Sequence, residues 1–140
     1  MSENVRATPG SGRRVALLLG IDRYERGVPP LLNAVRDIEA VGRVLHERYG
    51  YEVELIRDEQ ATRKTLRERM EQLAQTLNEP DRLVLYFAGH GLADELREDV
   101  TGPQGYLLLH DADVKDASTY LPMSELQALL GGLRCRHLLL

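Results

Sequence analysis

A histidine between two glycines closes an otherwise apolar run, Leu83-Val84-Leu85-Tyr86-Phe87-Ala88-Gly89-His90-Gly91. An imidazole titrates near neutral pH, so His90 could take up and return a proton during a reaction. The glycines let the backbone turn tightly and let a ligand approach the main chain. A loop histidine that only finishes a strand fits the position as well, and both readings stand. Asp37 is the second candidate, in the first turns of a helix expected to begin near Asn33 on the same rim. A carboxylate favoured only by the helix dipole is its alternative. His46 on an exposed helix face, His110 after a short strand and His137 at the start of another read as structural. Cys135, between Arg134 and Arg136, precedes its strand. That puts it on the opposite rim from His90, as a spectator thiol.

Other chemistries find no residues to carry them. There is no glycine-rich phosphate loop followed by Lys and Ser or Thr, and no G-x-G-x-x-G after a strand. A G-x-S-x-G nucleophile elbow and Cys/His pairs at zinc spacing are also lacking. The acids Asp94, Glu95, Glu98, Asp99, Asp111, Asp113 and Asp116 do not reproduce a calcium loop, so no metal or other cofactor is expected.

Two elements must position His90 and Asp37, and the apolar pattern predicts both. Arg14 to Ile21 and Leu83 to Phe87 are apolar throughout, as strands covered by helices on both faces are. Between them Ala34, Ile38, Val41 and Leu45 mark one stripe of a helix over residues 33–48, stopped by Gly50. Tyr51 to Ile56 alternates as a strand. A helix capped by Thr62 follows, with Leu66, Met70, Leu73 and Leu77 as its apolar face. Leu92 to Gly105 is polar and reads as a long surface loop, and Tyr106 to Leu109 as a short strand. Ser124 and Gln127 form a capping box opening a helix that ends at Gly131-Gly132. His137-Leu138-Leu139-Leu140 begins another apolar strand. This alternation predicts an α/β sandwich with a mostly parallel sheet, in which reacting groups gather beyond the strands' carboxyl ends.

At 140 residues the chain is one domain by length. Residues 1–12 are expected to be a disordered arm and residues 13–140 the folded part. A net charge of −4 without any basic block argues against nucleic acid or an anionic membrane as partner. No apolar run is long enough to span a bilayer, and the polar start has no secretory signal. A single cysteine fits a reducing cytoplasm.

The residues resemble caspase-like cysteine peptidases, the group of caspases and metacaspases. The first-strand segment from Val15 to Tyr24, Asn33-Ala34-Val35-Arg36-Asp37 and the strand with Gly89-His90-Gly91 carry the resemblance. Tyr106 to Asp113 and Leu121-Pro122-Met123-Ser124-Glu125-Leu126 continue it. It implies a three-layer α/β/α sandwich and a Cys-His dyad with His90 as base. It further implies Gly91 N–H as a donor to the oxyanion, and Asp37 as an acid lining the pocket for a basic side chain before the cut. In that family an Asp-x-Cys nucleophile follows the strand that begins here at His137, about 50 residues after the histidine. The chain is therefore expected to be the front part of a catalytic domain, truncated before the nucleophile strand is complete and inactive alone. Its expected partners are a protein or peptide substrate, the remainder of the domain and fused sensor modules. The alternative is a non-catalytic relative acting in regulation or assembly.

Overall fold

The computed structural model describes residues 12–99, 102–135 and 137–139. The expected N-terminal arm, apart from Gly12, lies outside the described residues. Four strands form a parallel sheet: β1 (Arg14–Gly20), β2 (Glu52–Arg57), β3 (Arg82–Ala88) and β7 (His137–Leu139), ordered β2-β1-β3-β7. Helix α1 (Ala34–Tyr49) covers one face, where Ala16 and Leu18 of β1 meet Ile38, Val41 and Leu45. Helices α2 (Arg63–Thr76) and α3 (Met123–Gly131) cover the other. There Leu17 and Leu19 pack among Leu66, Met70, Leu126 and Leu130. Successive residues of β1 thus enter opposite cores, which is why its sequence shows no polar alternation. Each fully buried leucine contributes about 2 kcal/mol from apolar burial. The three-layer α/β/α arrangement expected from the sequence is present.

Local signals explain where the elements stop. Gly50 ends α1 in the left-handed region, φ 70°, with its N–H bonded to the His46 carbonyl. The Thr62 side chain caps α2 through the Thr65 N–H. At Gly20 a β-carbon would lie 2.9 Å from the Ala34 carbonyl oxygen and from Ile38, so glycine lets α1 sit close on the sheet.

Two expectations are corrected. The stretch Leu92 to Gly105 is not a surface loop. Strand β4 (His90–Asp99) and strand β5 (Gly102–Leu108) pair antiparallel, and β6 (Leu121–Pro122) joins β5. Backbone ladder bonds hold this second sheet, and they need no alternation of side chains; its register also shifts between Asp94 and Glu98. The capping box at Ser124 and Gln127 does not form. Pro122, extended in β6, occupies the N-cap, and the helix begins at Met123 without a side-chain cap. Ser124 is then already inside the helix, while Glu125 turns to Arg63 and Arg67 on α2.

Candidate active site

Parallel register aligns the strand ends that build the site. Gly20 pairs with Arg57 on one side and Ala88 on the other. Asp22, Asp58 and His90 therefore leave the sheet on one rim. The chain from β1 to α1 crosses that rim, and four contacts fix its path. The Asp58 carboxylate, buried and with φ 44°, accepts the N–H groups of Asp22 and Arg23 at 2.9 and 3.0 Å. A left-handed backbone is uncommon outside glycine but tolerated by Asp. The Asp22 carboxylate accepts the Ala34 and Val35 N–H groups at 2.8 and 3.2 Å, so it supplies the cap that Asn33 does not.

His90 is partly exposed at the start of β4. Its Nε2 lies 2.8 Å from the Pro29 carbonyl oxygen. A carbonyl only accepts, so Nε2 carries the proton, and in the neutral ring Nδ1 keeps its lone pair. No described residue takes that lone pair. Beneath it, the Tyr24 ring stands 5.4 Å from the imidazole, centroid to centroid. The Tyr24 hydroxyl accepts the His90 N–H at 3.0 Å and donates to the Leu108 carbonyl at 2.8 Å. Burial pushes this phenol upward, against the lowering effect of the His90 N–H, which keeps it a donor at neutral pH.

Gly91 is exposed, and a β-carbon there would meet only the Tyr106 carbonyl oxygen, at an ordinary 3.6 Å. Backbone direction alternates along a strand. With the His90 N–H directed toward β5, the Gly91 N–H turns to the other edge of β4, which has no partner strand among the described residues. Gly89 is the tighter of the two glycines: a β-carbon would fall 2.7 Å from the Phe87 ring and 2.9 Å from the Tyr24 hydroxyl.

Asp37 lies in the first turn of α1, exposed, and no described residue hydrogen-bonds its carboxylate. Cys135 is half-buried against the main core, and burial pushes its thiol up. His137 pairs with Arg82, the first residue of β3, so Cys135 sits off the amino end of the sheet, away from His90. Among the described residues no group of three or more His, Cys, Asp and Glu side chains could hold a metal ion.

His110 is buried, and both ring nitrogens face acceptors: Nδ1 the Arg23 carbonyl at 2.7 Å, Nε2 the Glu25 carboxylate at 3.0 Å. Burial lowers its pKa, but the bonds to Glu25 and Arg23 and the charges of Glu25 and Glu59 outweigh that, and the net shift is upward. A raised folded-state pKa stabilises the fold below about pH 6.5, and that contribution fades as pH rises through the folded value. Urea midpoints measured between pH 5.5 and about 8.5 should therefore fall with rising pH. A Glu25→Gln variant should flatten that slope; an unchanged slope would show that the pair does not titrate with folding.

Sequence reasoning named His90, Gly91 and Asp37 but passed over the residues that frame them. Asp58 follows β2 in a polar stretch without periodicity. Tyr24 follows β1, but no local pattern shows a hydroxyl reaching residues 66 and 84 positions away.

A parallel sheet between helical layers, with His90 just beyond the carboxyl end of a central strand, defines an α/β sandwich whose candidate site lies on its carboxyl rim. The caspase-domain family profile matches residues 13–138, and the chain belongs to that family, a family of peptidases. Metacaspase-1B of Aspergillus oryzae is 33% identical over 90 residues, covering 58% of this chain and 21% of the relative. Metacaspase-1B of Aspergillus fumigatus is 34% identical over 90 residues, 58% of this chain and 22% of the relative. The chain thus spans about a fifth of the curated relatives it matches. A crystal structure of a Geobacter sulfurreducens protein superposes with a TM-score of 0.72 at 23% identity, over 90% of this chain and 47% of that one. The shared fold is what that likeness establishes. No helix among the described residues is long and apolar enough to cross a membrane.

Proposed function

We propose that this chain is the histidine-bearing part of a cysteine endopeptidase domain that cuts protein or peptide substrates after Arg or Lys. Its nucleophile would be a cysteine on a segment following β7. The observation that carries the reading is His90 itself, with Nε2 tied to Pro29 and no described residue taking the Nδ1 lone pair. The β3–β7 register supports where the nucleophile would stand. Val84 faces Leu139, so four residues further along both strands Ala88 would face position 143. A cysteine at or just past that point would emerge beside His90.

The residues then divide the work. The thiolate attacks the scissile carbonyl, and the imidazolium of His90 protonates the leaving amine. His90 next removes a proton from the water that hydrolyses the thioester. The Gly91 N–H donates to the oxyanion, a contribution of about 3 kcal/mol where such a donor is fixed in place. Asp37 receives the basic side chain preceding the cut.

The test compares the 140-residue chain with the longer product of its parent gene. Both are assayed on peptide amides carrying Arg, Lys or Asp before the cut, then treated with a peptidyl-arginyl chloromethyl ketone. The longer protein is expected to turn over the basic substrates and to be alkylated at a cysteine beyond residue 140. The 140-residue chain should do neither. Turnover dependent on Cys135 would overturn the proposal. So would a longer protein without a reactive cysteine, which would point to a non-catalytic regulatory or assembly module.

A further inference from the structure

We infer that Tyr24 is a positioning residue for His90, its hydroxyl spliced into the ladder between β4 and β5 where a direct backbone bond would otherwise form. His90 and Leu108 are register partners. Such pairs alternate along an antiparallel ladder between ones that exchange N–H···O bonds and ones that do not. The His90 N–H and the Leu108 carbonyl, both directed at one hydroxyl, mark this as a pair of the first kind. Here the hydroxyl of Tyr24 stands between them, accepting from His90 at 3.0 Å and donating to Leu108 at 2.8 Å. The first pair of the hairpin is therefore bridged by one oxygen atom.

The placement has three consequences for the imidazole. The backbone of His90 is tethered to Leu108 of β5 through the hydroxyl. The Tyr24 ring then backs the imidazole at 5.4 Å, and Nε2 reaches the Pro29 carbonyl. Tyr24 and Pro29 belong to one connection, so a single segment sets both the height and the rotation of the ring. That segment is itself anchored on either side of Tyr24, by Asp58 at Asp22 and Arg23 and by His110 at Arg23 and Glu25. Gly89 closes the arrangement from above, since a β-carbon would press on this hydroxyl and on Phe87.

Removing the hydroxyl while keeping the ring leaves two outcomes for His90. Its N–H closes directly onto Leu108, drawing the imidazole from Pro29, or it stays unpaired. Both move the base without touching substrate, so Tyr24 acts through His90 and not on the reacting atoms. The inference rests on the peptidase reading for its catalytic meaning, but its geometry can be tested without turnover.

In the 140-residue chain, amide exchange by NMR should show the His90 N–H protected and the neighbouring Gly91 N–H fast. This arm needs no variant. In Tyr24→Phe the His90 imidazole nitrogen signals should shift, and its amide should exchange about tenfold faster or gain the signature of a direct strand bond. In the longer gene product, Tyr24→Phe should lower kcat by about tenfold with KM unchanged. An unprotected His90 amide in the parent chain overturns the inference, as do imidazole signals unmoved by Tyr24→Phe. A longer protein that is inactive from the start defeats the peptidase reading alone, because the exchange and imidazole measurements still decide the role of Tyr24.

Discussion

Under the proposed function, replacing His90 with alanine in the longer protein should lower kcat by about 10² to 10⁴-fold, the usual contribution of a positioned acid–base group. KM should change little, because in the proposed mechanism the imidazole serves the reacting atoms and not a substrate side chain. The arrangement accounts for the size of the loss. Nε2 is committed to Pro29, so the ring presents one nitrogen, Nδ1, in a fixed direction. A neighbouring water could replace the proton but not its placement, and placement supplies much of the advantage. The fold should survive. His90 is only partly buried, and the His90 N–H, which ties the backbone to Tyr24, remains in the alanine variant. A thermal melt close to that of the parent protein together with lost turnover would separate chemistry from unfolding. Full activity in His90→Ala would remove His90 from the mechanism.

Parts of this design were legible in the sequence because they obey short-range rules. β1 and β3 read as buried strands because each packs on both faces, leaving no polar position to break the run. Their parallel alignment puts the residues that follow them, Asp22 and His90, on one rim. Gly50 and Thr62 marked helix ends because a left-handed residue and a hydroxyl cap act within one turn. The hairpin was not legible, since its pairing is fixed by backbone groups and not by side-chain pattern. Nor was the capping box a safe guide. Pro122, in β6, pairs with Tyr106 of β5, and with that tertiary contact the N-cap of α3 lies two residues earlier than Ser124. Tyr24, Asp58 and the His110–Glu25 pair share one reason for being missed. Each works on partners from 35 to 85 or more positions away, and only the folded rim brings them together.

The same rim makes a prediction about Asp37. A carboxylate in the first turn of a helix ordinarily answers to unpaired backbone N–H groups and the dipole. In α1 that need is already met by Asp22, which accepts the N–H groups of Ala34 and Val35. Asp37 is left exposed on the helix whose start lies on the rim of His90, with no described hydrogen-bond partner for its carboxylate. Alanine at this position should therefore cost little in folding, about 0.3–1 kcal/mol at most for the lost dipole interaction. The effect on specificity should be much larger. A guanidinium held by a carboxylate gains roughly 1.5–3 kcal/mol from charged hydrogen bonds. Asp37→Ala in the complete domain should thus reduce kcat/KM for an Arg substrate by about 10 to 150-fold. An Asp substrate, repelled by the parent protein, should be used slightly better by the variant. The measurement is a matched series with Arg, Lys or Asp before the cut, run on both proteins. Retention of the full preference for Arg would leave Asp37 as a helix-end carboxylate and move the specificity pocket elsewhere on the rim.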